Sequence, residues 1–543
     1  MGPGPALNAF LDEAPRSQAV IGPDGHVDAG RYDRVAVTVR DRGELRALRI
    51  RPGVRTAALA VWLDEATSAL SFTPRPEWPA LQLIRSRAVD GGWLTVLRFE
   101  SPAPVNRVVL ELGRQSVWPD RVGDRGLVTD FFTSDKVPRD VLLVDWVESR
   151  DEADVDITGR EPLVVTQRDR SGPLALGPLD ERILNPTGFD PAATGQVVEL
   201  DELDWGRGPT EAMVRRLRPA LGVRAEPSQA PAQPEARAIA GLAMAGVPIT
   251  ASQLDPEVAA LLGERVAAAL TAPVDLTEPQ AREEHSVVLR RAALSEFSVT
   301  AWRRRLGELT GVRVHHQPSV SVVMATRRPD LLEHALGHVA RQRGVEQLEL
   351  VLAPHGFEPD AGLVRELAGD VLVQLVPQPA ETFFGDVLHA AAAAAGGDVV
   401  LKMDDDDWYA PDFAADLLLA RAYSGAELVG MPDDVYYLEP LDLTVRLGAP
   451  SEVYRGFVAG GTMLVERGLL HEVGGFRRVR RHVDAQLIHA VRVAGGEIYR
   501  SHGLGYMLRR TDSGHTWQAD LGDLRDRAAE TWPGFRPGRL MEL

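Results

Sequence analysis

Four consecutive aspartates, Asp404, Asp405, Asp406 and Asp407, are the residues whose type and spacing most directly indicate chemistry. They follow residues 398–403, a largely apolar segment that predicts a buried strand. Carboxylates crowded at a strand end repel one another by about 1 kcal/mol per pair at 4 Å in water, and several-fold more near a protein surface. A cation is therefore expected among them.

The alternation of side chains along an extended segment predicts which aspartates act together. Asp404 and Asp406 would point the same way and share one divalent cation, while Asp405 would turn to the other face. Hard carboxylate oxygens favour Mg²⁺ or Mn²⁺, which keep positions for water and substrate phosphates. A solvated acidic loop is the alternative, and the position directly after a strand favours the metal site.

The composition of the whole chain narrows the classes of partner. With 78 acidic against 60 basic residues and a formal charge of −18 over 543 residues, the chain lacks the basic footprint that nucleic-acid binding needs. It contains no cysteine, so any metal ligand must be Asp, Glu or His. Neither a signal peptide nor a run of about 18 apolar residues occurs. We therefore expect a cytoplasmic protein whose membrane contact, if any, is peripheral at the inner face.

The first part of the chain has the pattern of an all-β domain. Short apolar or alternating segments, such as residues 35–39, 94–99 and 108–112, are separated by Gly, Pro and Asp. Such segments predict strands, and residues 1–224 are interpreted as a β-rich domain, a sandwich or barrel.

Three further parts complete the organisation outside the aspartate-bearing domain. Residues 225–235 are rich in proline and polar residues and predict a linker. Residues 236–318 predict a helical connector, in which Asp255 and Pro256 have the signature of a helix start. Residues 521–543 are interpreted as a C-terminal tail.

Strand and helix patterns alternate over residues 319–520. Apolar segments at 320–324, 348–352 and 371–376 predict strands, and the apolar spacing over 331–340 predicts a helix. The alternation indicates an α/β domain with a mostly parallel sheet and helices on both faces. Ligands bind at the carboxyl ends of such strands, which is where the four aspartates fall.

Five motifs follow one another in a specific order in this domain. They are residues 320–329 (VSVVMATRRP), 403–411 (MDDDDWYAP), 460–462 (GGT), 473–476 (VGGF) and Asp484. In this order they resemble glycosyltransferase family 2, whose enzymes have the GT-A fold. The resemblance implies a nucleotide-diphosphate-sugar donor, a metal at a DxD-type motif and inversion at the anomeric carbon. It also implies that Asp404 and Asp406 are the metal pair and that Asp405 lies near the donor's ribose or sugar.

Sugar transfer by single displacement needs a base as well as a cation. The attacking acceptor hydroxyl loses a proton while the departing diphosphate gains negative charge. The resemblance implies that Asp484 is the base, although the acidic residue that usually precedes it is Val483 here. The alternative is that Asp484 is the N-cap of a helix over residues 485–494, a position that Asp favours.

The resemblance also implies contacts to the donor. In the closing segment, Arg510 would approach the diphosphate and His515 would be a third metal ligand, with a lone surface histidine as the alternative. His355 stands where the family commonly has an aspartate that reads the nucleotide base, and a neutral histidine offers one donor and one acceptor for that contact. Thr326, Arg327 and Arg328 at the first strand's end are expected to bind the donor, the two arginines by neutralising its diphosphate.

Two segments are candidates for binding the acceptor. Gly460 and Gly461 would let the backbone approach a sugar closely, with a plain turn as the alternative. Arg480 and Arg481 belong to an arginine-rich patch just before Asp484 that would attract a phosphorylated acceptor. The alternative for the patch is a solvated loop.

These observations together predict a metal-dependent inverting glycosyltransferase. It would move a sugar from a nucleotide-sugar donor to a saccharide or lipid-linked acceptor in cell-surface polysaccharide assembly. The β-rich domain would bind the growing acceptor or assemble the chain into a homo-oligomer. The alternatives are an inactive saccharide-binding scaffold and a sugar nucleotidyltransferase, the latter disfavoured because no glycine-rich phosphate loop follows the first strand.

Overall fold

The computed structural model describes residues 211–310, 317–511 and 520–543 continuously, and shorter segments before residue 211. The shorter segments are residues 5–12, 17–40, 44–45, 48, 50–51, 53–64, 70, 78–89, 92–115, 131–132, 141–144, 163–166, 176–179, 181, 188–203 and 209. Contacts between residues divide the chain into two compact units, residues 1–169 with 303–315 and residues 170–302 with 316–543.

The first unit is built on a five-stranded sheet with a helix against each face. Its described elements are α1 (Pro5–Asp12), β1 (Gln18–Ile21), β2 (Gly30–Val39), β3 (Val54–Leu63), β4 (Leu81–Val89), β5 (Gly92–Pro104), α2 (Val105–Gln115), β6 (Phe131–Phe132), β7 (Val141–Val144) and β8 (Leu163–Thr166). The sheet order is β1-β2-β3-β5-β4, and β6, β7 and β8 form a separate antiparallel sheet. Val35 and Val37 share a core with α2, whereas Ala36 shares one with α1, because neighbouring residues of a strand face opposite sides.

One segment predicted as a strand is helical. Residues 108–112 lie within α2, where Val105, Val108, Val109 and Leu112 are all buried. Their spacing of three and four residues is that of one helix face, and this periodicity outweighs the β-branched composition that suggested a strand. The strands predicted at residues 35–39 and 94–99 lie within β2 and β5.

The first part of the second unit is mainly helical. Its elements are β9 (Val197–Glu199), α3 (Glu211–Leu217), β10 (Gly222–Arg224), α4 (Ala232–Met244), β11 (Ile249–Thr250), α5 (Pro256–Leu262), α6 (Glu264–Thr271) and α7 (Pro279–Phe297). Helix α8 (Val299–Thr310) follows, and its residues from 303 onwards are assigned to the first unit. The predicted start of α5 is confirmed, since the Asp255 side chain accepts from the Glu257 N–H with Pro256 at the first helical position. Helix α4 begins inside the segment predicted as a linker, and its first-turn Pro234 costs no hydrogen bond there.

An eight-stranded mixed sheet dominates the rest of the second unit. The elements are β12 (Val320–Thr326), α9 (Leu332–Ala340), β13 (Leu348–Pro354), α10 (Ala361–Ala368), β14 (Leu372–Leu375), α11 (Phe384–Ala394), β15 (Val399–Lys402), β16 (Trp408–Tyr409), α12 (Phe413–Ser424), β17 (Leu428–Gly430), β18 (Val435–Leu438), β19 (Leu443–Arg446), β20 (Val453–Tyr454), β21 (Leu464–Glu466), α13 (Arg467–Glu472), α14 (Val483–Val493), β22 (Ile498–Arg500), β23 (Tyr506–Arg510), α15 (Leu521–Asp526) and β24 (Glu530–Pro533). The order is β14-β13-β12-β15-β21-β17-β22-β20, with the first four strands parallel. A second sheet has the order β16-β23-β18-β19-β24.

Both faces of the eight-stranded sheet are buried. Val322 and Met324 of β12 belong to one core, with α9 and α12, while Val323 belongs to the other, with α11 and α14. The unit is therefore a mixed α/β structure, and β12, β13 and β15 bring their carboxyl ends to the same edge of the sheet. Among the described residues, no helix is long and apolar enough to cross a membrane.

Candidate active site

The strand that leads to the four aspartates stops before them. Strand β15 ends at Lys402, and the aspartates lie in a bend between β15 and β16. The four aspartates are therefore not extended, and their side chains do not alternate between two faces as predicted. Asp405 and Asp406 contact one side-chain cation, and Asp404 contacts another.

Asp404 shares the ammonium of Lys402 with Asp484. Lys402 Nζ lies 2.7 Å from Asp404 Oδ1, 3.4 Å from Asp484 Oδ1 and 3.1 Å from the Gly460 carbonyl oxygen. The lysine is buried, and although burial alone would lower the pKa of Lys402, the charges of Asp404 and Asp484 outweigh it and raise that pKa. A charged ammonium therefore connects the aspartate run with the first turn of α14.

The Asp484 carboxylate has one buried and one accessible side. Its Oδ1 atom is buried without a hydrogen-bond partner, while the side chain as a whole is 33% exposed. Burial raises the pKa of Asp484 and Lys402 opposes that rise. The residue is not the N-cap of the helix: that position belongs to His482, and Asp484 lies within the first turn of α14.

Gly460 and Gly461 lie against these two carboxylates. A Cβ atom on Gly460 would be 2.0 Å from Asp484 Oδ2, and one on Gly461 would be 2.8 Å from Asp404 Oδ2. Both glycines are thus needed for the close approach of backbone and carboxylates. The hydroxyl of Tyr409 adds to this packing, because it accepts from the Asp404 N–H at 2.8 Å and donates to the Gly461 carbonyl at 3.1 Å.

Arg328 contacts the next two members of the run, Asp405 and Asp406, which are both buried. Its Nη1 donates to Asp406 Oδ2 at 2.9 Å and its Nε to Asp405 Oδ2 at 3.1 Å. Thr326, at the end of β12, donates its hydroxyl to Asp405. Burial would lower the pKa of Arg328, but Asp405 and Asp406 outweigh that effect and raise it.

Arg327 and His355 form a neighbouring pair at the ends of β12 and β13. Arg327 Nε lies 2.9 Å from His355 Nδ1, and its Nη2 lies 2.6 Å from the Ala380 carbonyl oxygen. Burial, reinforced by the Arg327 charge, lowers the pKa of His355. A neutral imidazole is therefore favoured beside this guanidinium.

Asp407 is buried beneath the site. It accepts from the Tyr506 hydroxyl and from the Arg509 N–H, the latter at 2.9 Å. Burial and the neighbouring charges of Asp406 and Asp404 raise the pKa of Asp407 to about 8. These contacts anchor the aspartate run to β23.

The remaining predicted residues lie in different places. Arg480 and Arg481 are exposed in the loop before α14, and the Arg480 guanidinium lies 4.2 Å from the centre of the Phe383 ring. Arg510 lies on β23 over the Tyr436 ring, at 5.4 Å. His515 lies outside the described residues.

Lys402 is the residue that the sequence analysis missed. A signal was available, because only two of the 60 basic residues are lysines, Lys136 and Lys402. Lys402 also interrupts an apolar strand directly before the aspartates. A charged side chain in such a position indicates a buried partner of opposite charge.

The donor chemistry of the aspartates suits a divalent cation. Among the residues described, no three potential ligands come together as a metal cluster. Mg²⁺ usually binds through one or two carboxylates plus substrate phosphates. Arg328, which contacts Asp406, is 31% exposed in its side chain.

Comparisons with known proteins identify similar solved structures but no family. No protein-family model matches the sequence, and no curated protein matches it. The chain is similar to the mannosyltransferase PcManGT from Pyrobaculum calidifontis in complex with GDP-Man and Mn²⁺, at 20% identity and a TM-score of 0.30, over 37% of this chain and 59% of that one. It is also similar to S. aureus TarS 1-349 in complex with UDP-GlcNAc, at 14% identity and a TM-score of 0.31, over 38% of this chain and 64% of that one. The match thus spans less than two thirds of either structure.

Proposed function

We propose that this protein is a metal-dependent inverting glycosyltransferase of the family 2 type, with a GT-A catalytic domain. It would transfer a sugar from a nucleotide-diphosphate donor to a saccharide or lipid-linked acceptor during cell-surface polysaccharide assembly. The observation that carries the proposal is the joining of Asp484 to the aspartate run through Lys402. A candidate base thus lies next to carboxylates suited to a cation, at the carboxyl ends of parallel strands.

The donor would bind at the ends of β12 and β13. Arg327 and Arg328 would contact the diphosphate, and His355 would contact the nucleotide base. A Mg²⁺ or Mn²⁺ ion held by Asp406 with Asp404, and by His515 as a third ligand, would neutralise charge on the departing diphosphate. Arg328 released from Asp406 would remain beside the diphosphate as a second positive charge.

Asp484 would accept the proton of the acceptor hydroxyl. The acceptor oxygen forms a bond to the anomeric carbon as the bond from that carbon to the diphosphate oxygen breaks, which inverts the configuration. A hydroxyl would approach the exposed part of the Asp484 side chain, whereas Oδ1 faces Lys402 and Oδ2 lies against the Gly460 backbone.

Product analysis of purified protein tests this proposal. We expect release of a nucleoside diphosphate from a nucleotide sugar in the presence of Mn²⁺. Release of pyrophosphate from a nucleoside triphosphate would instead identify a sugar nucleotidyltransferase, and no turnover of any donor would identify a binding scaffold.

The variant Asp484→Asn tests the assigned base. It should bind the donor as the wild type does and transfer sugar at least about 100-fold more slowly, because general-base catalysis typically contributes 100-fold to 10,000-fold. Transfer at the wild-type rate would remove Asp484 as the base.

A further inference from the structure

We propose that Lys402 is a positioning residue, whose ammonium joins the carboxylates of Asp484 and Asp404 and fixes where the base lies. The inference rests on the proposed function only in taking Asp484 as the base. Lys402 would not touch the substrate. It would act through Asp484.

Lys402 faces three oxygen atoms. Its ammonium donates hydrogen bonds to Asp404 Oδ1 and to the Gly460 carbonyl oxygen, and it forms an ion pair with Asp484 Oδ1 at 3.4 Å. The lysine is 2% exposed, so these oxygens replace water around its charge. A buried ammonium with these contacts is fixed in place, and it therefore fixes the positions of the Asp404 and Asp484 carboxylates.

The backbone completes the enclosure of Asp484. Gly460 contributes its carbonyl oxygen to Lys402 and, through its missing Cβ, the space that Asp484 Oδ2 occupies. The carboxylate is therefore held between the ammonium on one side and the glycine backbone on the other. Only its exposed side remains for an acceptor.

The choice of lysine fits this geometry. The chain otherwise uses arginine almost exclusively, with two lysines among 60 basic residues. A guanidinium is planar and presents a rigid fork of donors, whereas an ammonium is a compact point charge that can face three oxygens in different directions. The three oxygens around Lys402 belong to residues 404, 460 and 484, which approach from separate segments of the chain.

A double-mutant cycle with Lys402→Met and Asp484→Asn tests the inference. We expect Lys402→Met to lower kcat for transfer at least tenfold, with a separate rise in the KM for the donor from the lost contact with Asp404, the proposed metal ligand. The double variant should be no slower than Asp484→Asn alone, because residues that act as a unit lose activity non-additively. Losses that multiply, or a Lys402→Met variant with the wild-type kcat, would overturn the inference. Lys402→Gln replaces Lys402→Met if the latter does not fold.

A spectroscopic measurement tests the contact without requiring activity. In protein carrying Lys136→Arg, isotope-labelled lysine reports on Lys402 alone, so its Cε and Nζ signals can be followed directly. They should shift when Asp484→Asn is added and stay in place when the same change is made at the exposed Asp523. An unchanged signal in Asp484→Asn would overturn the inference. If the wild type transfers no sugar, the proposed function fails, whereas this signal still shows whether Lys402 holds Asp484.

Discussion

The four consecutive aspartates differ in what each carboxylate contacts, and these contacts decide what each can do. Asp404 is held by Lys402, Asp405 and Asp406 by Arg328, and Asp407 by Tyr506 in the interior. The sequence indicated that positive charge must lie among them. It did not indicate Arg328 as the partner of Asp405 and Asp406, because this arginine is distant in sequence and meets the run only through the fold.

A buried histidine near the site should make the protein sensitive to acid. His338 lies on α9 with its Nδ1 3.1 Å from the Tyr409 carbonyl oxygen. Burial, together with the neighbouring His334 and Arg341, lowers the pKa of His338 to about 4. An unfolded histidine has a pKa of about 6.5, so the unfolded state binds the proton first as the pH falls. The free energy of unfolding therefore decreases as the pH falls from about 6.5 towards about 4.

The free energy of unfolding should consequently fall by about 2.5 kcal/mol between pH 7 and pH 4.5 through His338 alone. Urea titrations at both pH values measure this, and His338→Gln should remove that part of the decrease. The same substitution at His489, which is exposed on α14, serves as the control. An equal decrease in His338→Gln and wild type would contradict the assignment.

At the scale of elements, periodicity predicted several strands and helices of the second unit. The strands at residues 320–324 and 348–352 lie within β12 and β13, and the helix at 331–340 corresponds to α9, which begins one residue later. The bend after Lys402 was not predicted, because residues 403–407 carry no glycine or proline to end the strand. The close approach of Gly460 to Asp484 is likewise a tertiary contact that no local pattern specifies.

This close approach makes a sharp prediction for Gly460→Ala. The added Cβ would lie 2.0 Å from Asp484 Oδ2, so the carboxylate must move. We expect the transfer rate to fall about as far as in a variant that lacks the base, roughly 100-fold, with donor affinity retained.

The matched control is Gly337→Ala. A Cβ on Gly337 meets nothing within 4 Å, and the position is inside α9. This substitution should leave activity unchanged and stabilise the fold by about 0.5–1 kcal/mol, because alanine favours the helix. Equal activity in both alanine variants would show that the glycine at 460 is not required.

A buried ion pair joins helix α7 to the segment before β20. Arg290 contacts Glu452, with side chains that are 4% and 1% exposed, and the hydroxyls of Tyr423 and Tyr499 each donate to Glu452 at 2.9 Å. Arg290→Met would leave the carboxylate buried without its cation. We expect a loss of about 3 kcal/mol or more in the free energy of unfolding.

Chemical denaturation compares this variant with Arg527→Met. Arg527 pairs with Asp523 one helical turn away on α15, where both side chains are about 60% exposed. Breaking such a surface pair should cost at most about 0.5 kcal/mol. A similar small loss in Arg290→Met would contradict a structural role for the buried pair.

At the scale of the whole molecule, the charge distribution points to the acceptor. The chain has a net charge of −18, yet Arg477, Arg478, Arg480 and Arg481 are all exposed in the loop that leads to Asp484. Two of them make cation–π contacts with Phe383, whose ring centre lies 4.9 Å from the Arg478 guanidinium and 4.2 Å from that of Arg480. A basic patch on an acidic protein can concentrate an anionic acceptor at the base.

Reversing the charge of this patch should therefore weaken binding of the acceptor and leave binding of the donor unchanged. The double variant Arg480→Glu/Arg481→Glu should raise the KM for a phosphate-bearing acceptor by about tenfold or more at low salt, and added salt should reduce the difference. Donor affinity should stay the same. In the control variant Arg527→Glu, both the KM for the acceptor and the donor affinity should equal those of the wild type. If the double variant has the same KM for the acceptor as the wild type, the patch is a solvated loop and does not bind the acceptor.

The boundaries between domains were harder to predict from the sequence than the individual helices and strands. The proline-rich residues 225–235 were expected to separate two parts, but α4 starts within them and its Ala236 and Ile239 belong to the same core as β12. Proline marks a helix start as readily as a linker, and only the buried residues that follow distinguish the two.

The most direct test of a cation-dependent donor site is a calorimetric titration of UDP and GDP, with and without Mn²⁺, into wild type and Asp406→Ala. The variant should keep its fold, because Arg328 retains Asp405. We predict that the wild type binds a nucleoside diphosphate only with Mn²⁺, that Asp406→Ala weakens this binding at least tenfold, and that Asp523→Ala leaves it unchanged. Metal-independent binding by the wild type, or equal affinity in Asp406→Ala, would contradict the account.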